Sequence, residues 1–496
     1  RLQARIQDTT TATSFMKPKQ IEIYDTTLRD GSQGEGINFS LSDKLRIAER
    51  LDQFGVHYIE GGWPGSNPKD LEFFKQAARR KWKNARIASF GFTRRKGVSV
   101  ENDEQIRMLL DAETPVITIV GKTWLLHVTE VLRAKPDENI GMIGDTIRFL
   151  KDHGKTVVYD AEHSFDGFKD QPEYALATWQ AAEQAGADII CLCDTNGGCL
   201  PSEIARITAF AKGKLNTPLG IHTHNDCGLG VANGIAALEA GATQIQGVIN
   251  GYGERAGNAN MVSLLANLAL KTQHTVAGAD RLADLSHLSH EVAEIANLAP
   301  DDHQPYVGRS AFAHKGGVHG AAQVKTPRAY QHIDPALVGN RGRLVVSELG
   351  GKANTGSRAA ELGVELANSG LDSKTLSTLV KEMEAGGASY EGAEASFQLL
   401  VERHRPNYVA PFTIVDFTVI VEQREGAPGR AEATVRVEVA GERLHTAADG
   451  NGPVNALDRA LRKALGAFYP QLDAVHLVDY KVRILDGASA TGAKTR

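Results

Sequence analysis

Two histidines one residue apart, His222 and His224, have the spacing that most directly suggests chemistry. They lie in GIHTHND at the end of an apolar run, and Asn225 and Asp226 follow them at once. On a β-strand, residues i and i+2 point to the same side, so both imidazoles would face one point. This arrangement predicts a two-pronged clamp for a divalent metal ion, whereas two hydrogen-bonded core histidines are the structural alternative.

Oxygen ligands for such an ion follow two other β-rich runs. Asp30 ends the first run in TTLRDG, and Asn258 follows the eighth in NGYGERAGN. Together with the imidazoles they would hold Mn²⁺, Mg²⁺, Co²⁺ or Zn²⁺ and leave further coordination positions open. Open positions are typical of a catalytic rather than a structural metal site.

Two charged residues near these ligands are candidates for catalysis. Arg29 precedes Asp30, and Glu162 ends the fifth β-rich run in YDAEH. A fixed guanidinium can stabilise an enolate or a thioester oxyanion, and a carboxylate can act as a base or activate water. Simple ion pairs are the structural alternative, for example between Arg29 and Asp30 or Glu60.

The elements that must position these residues repeat along the first half of the chain. Each β-rich run is followed by a polar turn and a helix-like stretch, which predicts parallel strands buried on both faces. Eight such units in about 250 residues predict a (β/α)8 TIM barrel of the α/β class, with its chemistry at the carboxyl ends of the strands. A doubly wound open sheet is the structural alternative. The predicted strands cover residues 21–27, 57–62, 85–91, 115–121, 155–162, 188–194, 219–224 and 243–249.

The pattern changes after the barrel. The next stretch is mainly helical. The last stretch has alternating runs at 412–423 and 429–442, a helical pattern at 455–468 and a further strand-like run at 476–485. Strands gathered beside a helix predict a separate α+β module. We therefore expect a disordered N-terminal segment over 1–20, the catalytic barrel over 21–275, a mainly helical linker subdomain over 276–405 and an α+β module over 406–496.

Composition excludes several classes of function. The net charge of −5 gives no overall attraction to nucleic acid or to an anionic membrane. No apolar run approaches the roughly 18–20 residues that span a bilayer. The four cysteines are too few for a disulfide framework, and CLCDTNGGC lacks the spacing of a zinc site. We therefore expect a cytoplasmic protein that binds neither nucleic acid nor membrane.

Three motifs together resemble a known family. LRDGSQ with Lys44 at its fixed distance, IHTHNDCGLGVA and NGYGERAGN are similar to motifs of the isopropylmalate, homocitrate and citramalate synthases. These enzymes belong to the barrel metallolyases, a group that includes hydroxymethylglutaryl-CoA lyase. DGSQGEG, KTWLLHV and YDAEHSFDGF most resemble the citramalate branch, and the likeness covers nearly the whole chain.

The resemblance implies a metal-dependent acyl transfer. Acetyl-CoA would condense with pyruvate, and hydrolysis of the thioester would release citramalate and free CoA, an early step towards isoleucine. Another 2-oxo acid, giving isopropylmalate or homocitrate, is the alternative. A lyase working in the cleavage direction is disfavoured by the long segment after the barrel. The family also implies a homodimer.

Roles for individual residues follow from the same resemblance. It implies the metal ligands Asp30, His222, His224 and Asn258 and the catalytic residues Arg29 and Glu162. The region after the barrel supplies a further histidine and a tyrosine in this family. Here they match His314 in AFAHKGGVHG and Tyr330 before IDP, and His319 competes with His314 for the first role.

Contacts to substrate or CoA are predicted at two further places. Arg94 and Arg95 in FTRRKG could grip phosphate groups, because an acidic protein needs a local basic patch for them. A solvated charged loop is the alternative. Thr195 and Asn196, in DTNG after the sixth predicted strand, lie at the same end of the predicted barrel.

The chain also departs from the isopropylmalate synthases. Ser32 stands where those enzymes usually carry an acidic residue. The C-terminal module resembles their leucine-sensing regulatory domain, so isoleucine is the expected effector here. That domain is normally built of two similar halves, whereas this chain carries about one half and part of a second, which predicts a truncated regulatory module.

Overall fold

A computed structural model of the protein describes residues 18–65, 67–276, 278–347, 349–350, 352–363, 366, 370–391, 393–423, 425, 429–477, 480, 482, 484, 487–493 and 495. Of the segment predicted to be disordered, residues 1–17 lie outside the described residues. The chain divides into two compact units. The first runs to Phe312 and includes Ile333–Gly342, and the second consists of Ala313–His332 and the chain from Arg343 onward.

A closed barrel of eight parallel strands forms the first unit. The order of hydrogen-bonded strands is β2-β3-β4-β5-β6-β7-β8-β1, and β1 also pairs with β2, which closes the sheet. This closure confirms the predicted (β/α)8 barrel and excludes the open sheet. The strands are β1 Gln20–Asp25, β2 Tyr58–Gly62, β3 Arg86–Phe92, β4 Val116–Lys122, β5 Thr156–Glu162, β6 Ile189–Asp194, β7 Leu219–Thr223 and β8 Gln244–Gly247.

Helices cover the outside of the barrel strands. The first of them shows how the sequence delimits such a helix: Ser40 and Asp43 form a capping box at its start, and Gly55, with φ of 106°, ends it in the left-handed region. A short strand, β9 Thr275–Val276, adds to β1. The helices of this unit are α1 Leu41–Phe54, α2 Pro68–Ala78, α3 Glu104–Asp111, α4 Pro136–Asp152, α5 Ser164–Asp170, α6 Pro172–Gln184, α7 Pro201–Lys214, α8 Gly230–Glu239, α9 Met261–Lys271 and α10 Leu285–Ile295.

Two apolar layers hold the barrel together. The larger lies between strands and helices and includes the fully buried Trp179 and Phe165. The smaller fills the barrel interior, where Tyr24, Val158 and Cys191 come from different strands. Because the interior below the carboxyl ends is filled with side chains, ligands have access only from the mouth.

The second unit contains two small sheets and five helices among its described residues. β10 Ala313–His314 and β11 Arg343–Leu344 form one parallel pair, and three antiparallel strands in the order β12-β13-β14 pack against α15. The three strands are β12 Thr413–Glu422, β13 Arg430–Val439 and β14 Glu442–Gly450. The helices are α11 Gly317–Lys325, α12 Lys352–Glu361, α13 Ser373–Ala385, α14 Glu394–Glu402 and α15 Pro453–Leu465.

The C-terminal strands differ from the sequence prediction in two respects. The run predicted over 429–442 ends at Val439, and a tight turn at Ala440 and Gly441, both with positive φ, leads into β14. We missed β14 because RLHTAADG has few large apolar residues. The strand predicted over 476–485 lies partly outside the described residues, and the described ones include only an isolated bridge from Ile484 to Thr495. The proposed division into four segments stays a prediction. No helix in the described parts of the chain is both long and apolar enough to cross a bilayer.

A buried ion pair links α1, β2 and α2 beneath the barrel mouth. The Lys44 side chain is 3% exposed; its Nζ donates to the Gly61 carbonyl oxygen at 2.9 Å and pairs with the Asp70 carboxylate. Asp70 also accepts a hydrogen bond from the Trp63 backbone N–H at 3.0 Å. Burial lowers the pKa of Lys44, and Asp70 opposes this shift. Lys44 of the family motif therefore supports the fold under the site.

We expect Lys44→Met to lower the free energy of unfolding of the barrel by about 3–5 kcal/mol, because it leaves the Asp70 carboxylate buried without a counter-charge. Urea denaturation followed by tryptophan fluorescence measures this, since all four tryptophans lie in the first unit. The exposed Lys83→Met is the control and should stay within about 0.5 kcal/mol of the parent. A loss below about 1 kcal/mol for Lys44→Met would contradict the assigned role.

Candidate active site

A cavity opens at the carboxyl ends of the barrel strands. Its volume is about 520 Å³, and its walls come from the loops after most of the eight strands. Arg29, Asp30, Glu162, His222 and His224 all line it. Five residues predicted from separate parts of the sequence therefore lie together, at the end of the barrel where such enzymes carry out chemistry.

The floor of this cavity is a buried triangle of ligand atoms. Asp30 Oδ2 lies 3.1 Å from His222 Nε2 and 3.9 Å from His224 Nε2, and the two ring nitrogens are 3.3 Å apart. In the plane of these three atoms, the point equidistant from all of them lies about 2 Å from each, close to the usual metal–ligand distance of about 2.0–2.2 Å. The residues present therefore fit a divalent metal ion.

Asn258 completes this floor from the loop after β8. Its Nδ2 donates to Asp30 Oδ2 at 2.8 Å and lies 3.2 Å from His222 Nε2, while its Oδ1 is buried without a hydrogen-bond partner. Asn258 is 1% exposed. An amide oxygen would become a ligand after a half-turn of this side chain, which would also give the orphaned oxygen a partner.

The charges of these groups depend on one another. Burial alone would raise the pKa of Asp30, but Arg29 and the two histidines hold it well below its usual range. Burial opposes protonation of His222, yet the hydrogen bond to Asp30 and the charge of that carboxylate raise its pKa above the ordinary value. Burial and then the neighbouring His222 lower the pKa of His224 to about 4. Near neutral pH, the imidazole of His224 is therefore neutral.

Arg29 is fixed at the edge of the floor by charge and by an aromatic ring. Its guanidinium pairs with Asp30 at 3.2 Å and with Glu60, and its Cζ lies 3.9 Å from the centroid of the Phe90 ring. Glu60 is fully buried and also accepts from Thr26 Oγ1 at 2.8 Å. Burial opposes the charge of Arg29, but Asp30 and then Glu60 raise its pKa further, so Arg29 is a permanent cation.

Glu162 lies on the cavity wall at the end of β5. Its carboxylate pairs with Lys122 Nζ from the end of β4. His127 and His163 each bring a ring nitrogen within 4.8 Å of this carboxylate, and their ring centroids are 4.2 Å apart. Because Lys122 already compensates the carboxylate, this second cluster is a weaker candidate for a metal than the triangle at the floor.

The predicted contacts after β6 and β3 have different surroundings. Thr195 lines the cavity, and Asn196 Nδ2 donates to Asp166 at 2.8 Å beside it. Arg94 donates to Asp145 at 2.8 Å and Arg95 to Asp103 at 3.3 Å. Neither of these arginines lines the cavity, because each guanidinium is turned to a carboxylate of its own neighbourhood. A role of Arg94 and Arg95 in holding phosphate stays a prediction.

His314 and Tyr330 belong to the second unit. Within it, the rings of His319 and Tyr330 stack with centroids 4.2 Å apart, and the His314 centroid lies 6.3 Å from that of Tyr330. The Nε2 atom of His314 is buried without a hydrogen-bond partner. All three side chains proposed from the resemblance therefore form one cluster, and their part in catalysis stays a prediction.

The residues that sequence reasoning missed include two that form polar contacts with predicted side chains. Lys122, at the end of β4, pairs with Glu162. Gln246, fully buried on β8, lies 2.8 Å from His222 Nδ1. A signal for Gln246 is present in the sequence: Gln244 and Gln246 repeat the i, i+2 spacing of the histidines on an otherwise apolar strand.

We expect the affinity of the metal-free protein for Mn²⁺ to fall as the pH is lowered from about 8 to about 6, by at most about tenfold per pH unit. His222, with its raised pKa, must lose a proton from Nε2 to bind the ion, whereas His224 has none to lose above about pH 5. Calorimetry in buffers of different ionisation enthalpy counts the released protons. Release of two protons, or no pH dependence, would contradict this assignment.

Comparison with known proteins agrees with this geometry. A model of the HMGL-like family matches residues 20–289, that of the homocitrate synthase post-HMGL domain-like family matches 306–386, and that of the LeuA allosteric (dimerisation) domain matches 391–496. The first match covers the barrel and the Asp30–His222–His224 triangle. The last covers β12, β13, β14 and α15.

Curated relatives narrow the assignment. The chain is 50% identical to the (R)-citramalate synthase of Geobacter sulfurreducens over 479 residues, 96% of this chain and 90% of that protein. It is 49% identical to the (R)-citramalate synthase of Aquifex aeolicus over 480 residues, 96% of this chain and 91% of that protein. Identity to a probable 2-isopropylmalate synthase of Methanopyrus kandleri is 32% over 473 residues, 95% of this chain and 90% of that protein. The chain belongs to the HMGL-like family and, within it, to the group of the (R)-citramalate synthases.

Proposed function

We propose that this protein condenses acetyl-CoA with pyruvate and water to give (R)-citramalate and free CoA, in the service of isoleucine synthesis. The observation that carries the proposal is the buried Asp30–His222–His224 triangle beside Arg29, in a chain about half identical to enzymes of that name. The cavity above the triangle has the size of a small-molecule site.

The metal site orients the 2-oxo acid. A divalent ion held by Asp30, His222 and His224, with Asn258 as a further ligand, would supply Lewis-acid polarisation of the keto carbonyl. Mn²⁺, Mg²⁺, Co²⁺ and Zn²⁺ all suit a site of two imidazoles and oxygen ligands.

Arg29 supplies positive charge where negative charge develops. Its guanidinium is held by Glu60 and Phe90 and still lines the cavity. Because the group is already in place and is screened from water, it stabilises the enolate oxygen of acetyl-CoA without reorganisation. We assign it this role in both the condensation and the hydrolysis.

We assign proton transfer to Glu162 and to His314 of the second unit. Glu162 on the cavity wall is the group we assign to hold the water that cleaves the thioester, and Lys122 keeps its carboxylate turned towards the end of β4. His314, whose Nε2 lacks a partner, is our candidate for taking the methyl proton of acetyl-CoA, with Tyr330 beside it. General acid–base catalysis of this kind contributes about 10²–10⁴-fold.

The cavity also supports pyruvate as the 2-oxo acid. The wall near the floor carries Phe90, Val120 and Cys193, which suits a methyl group. 2-Oxoglutarate needs a cation for its distal carboxylate. The two arginines on the described walls, Arg29 and Arg255, already pair with carboxylates.

Regulation is assigned to the C-terminal segment. It matches the LeuA allosteric (dimerisation) domain, and on this basis we propose a homodimer with isoleucine as the feedback effector. A cytoplasmic location is proposed from the four free cysteines.

We expect Arg29→Ala to lower kcat for CoA release by about 10²–10³-fold, because one preorganised donor to the developing oxyanion is lost. His222→Ala should abolish both activity and Mn²⁺ binding. Release of CoA from acetyl-CoA and pyruvate, followed with a thiol reagent, measures activity. The exposed Arg107→Ala is the matched control and should behave as the parent. Activity equal to the parent in both Arg29→Ala and His222→Ala would refute the assigned site.

Among 2-oxo acids, we expect pyruvate to give the highest kcat/KM. 2-Oxobutyrate, with one more methylene in the apolar part of the cavity, should fall by about 10- to 200-fold. The assay is free CoA across a panel that includes 2-oxoisovalerate and 2-oxoglutarate. A preference for either of the last two would replace citramalate by isopropylmalate or homocitrate as the product.

A further inference from the structure

We propose that Gln246 is a positioning residue that keeps the proton of His222 on Nδ1, so that Nε2 is the nitrogen offered to the metal ion. The amide of Gln246 is itself oriented by Asp160. This inference rests on the proposed metal role of His222 and adds a second layer of residues that no catalytic assignment above includes.

The three side chains form a buried relay across the barrel interior. Gln246 is fully buried on β8, and its Oε1 lies 2.8 Å from His222 Nδ1 on β7. Its Nε2 donates to Asp160 Oδ1 on β5 at 2.9 Å. Asp160 is 3% exposed and lines the cavity. One amide therefore joins the ends of three strands.

The chemistry of the amide fixes the direction of both bonds. An amide has donors only on nitrogen and an acceptor only on oxygen. In the structure Gln246 Nε2 donates to Asp160 Oδ1, and this placement turns Gln246 Oε1 towards His222. An oxygen that only accepts requires a proton on His222 Nδ1, in the neutral imidazole as well as in the imidazolium.

The surroundings of His222 Nε2 agree with this assignment. Asp30 Oδ2, His224 Nε2 and Asn258 Nδ2 all lie within 3.1–3.3 Å of that nitrogen. Asp30 Oδ2 only accepts, so in the imidazolium it faces the second proton, on Nε2. When that proton is lost, the proton kept on Nδ1 leaves the lone pair of Nε2 facing Asp30, His224 and Asn258. Histidine ligands in metal sites commonly have their second nitrogen held in this way.

His224 offers an instructive contrast. Its Nδ1 lies 3.2 Å from Arg255 Nη2, and since a guanidinium only donates, that nitrogen accepts. The proton of neutral His224 is thus placed on Nε2, on the metal side. Of the two imidazoles, only His222 has its proton held on Nδ1, away from the metal side, because Gln246 accepts a hydrogen bond from that nitrogen.

Gln244 provides a matched control. It lies two residues earlier on the same face of β8 and is 1% exposed, and neither its Oε1 nor its Nε2 has a hydrogen-bond partner in the described structure. The same substitution to methionine at the two glutamines therefore changes volume and polarity equally on one strand, but removes the relay only at Gln246.

The test is Mn²⁺ binding to the metal-free full-length protein, measured by calorimetry and by the paramagnetic resonance of free Mn²⁺. We expect Gln246→Met to weaken binding by about 10–100-fold, and Gln244→Met to change it by less than about threefold. Saturating Mn²⁺ should restore most of the kcat of Gln246→Met, because the reacting groups are unchanged. Equal affinity in the two variants overturns the inference, while absence of Mn²⁺ binding to the parent overturns the metal site and the inference together.

A second variant separates positioning from mere packing. In the double variant Asp160→Asn/Gln246→Glu, the new amide donates to the new carboxylate, whose other oxygen accepts from His222 Nδ1. We expect this variant to bind Mn²⁺ within about fivefold of the parent, although Gln246→Met does not. If the double variant binds Mn²⁺ weakly although its thermal midpoint equals that of the parent, the role of the relay is overturned. This result decides the question even if Gln246→Met does not fold.

Discussion

Burial of a carboxylate between two imidazoles is the constraint on which the site depends. Asp30 is 4% exposed and has His222, Asn258 and Arg29 within 3.2 Å. A buried charge is stable only when it is paired and hydrogen-bonded. The Arg29 guanidinium and the His222 imidazole compensate the charge of Asp30 when no metal ion is bound, and Asp30, His222 and His224 converge to a spacing that suits such an ion. The side chains that stabilise the buried Asp30 carboxylate are therefore largely the ones that would hold the metal ion.

Barrel closure is what brings these groups together. Asp30 follows β1, the two histidines lie on and just after β7, and Asn258 follows β8. Only because β1 pairs with β8 as well as with β2 do the carboxyl ends of the first and seventh strands share one mouth. Glu60 and Gln246, both fully buried, then hold Arg29 and His222 from below. Polar residues within the barrel interior are therefore as much a part of the site as those that line the cavity.

Lys44 and Glu162 both form ion pairs near the cavity, but the two pairs have different roles. Lys44 is buried against Asp70 and Gly61 and stabilises the loop after β2. Glu162 pairs with Lys122 yet keeps contact with the cavity. Both belong to recognisable sequence motifs, but only the structure separates a support from a candidate catalytic group.

The sequence by itself determined the eight strands, the barrel and the residues at the mouth, because apolar runs of fixed length, i, i+2 spacing and turn residues are local properties. It could not determine that β14 follows a hairpin after Val439, since that strand has little apolar surface. Nor could it determine the partners of Arg94, which tertiary packing pairs with Asp145. The relay from Asp160 through Gln246 to His222 joins residues 24 and 86 positions apart. Such contacts depend on strand register and barrel closure, which only the folded chain decides.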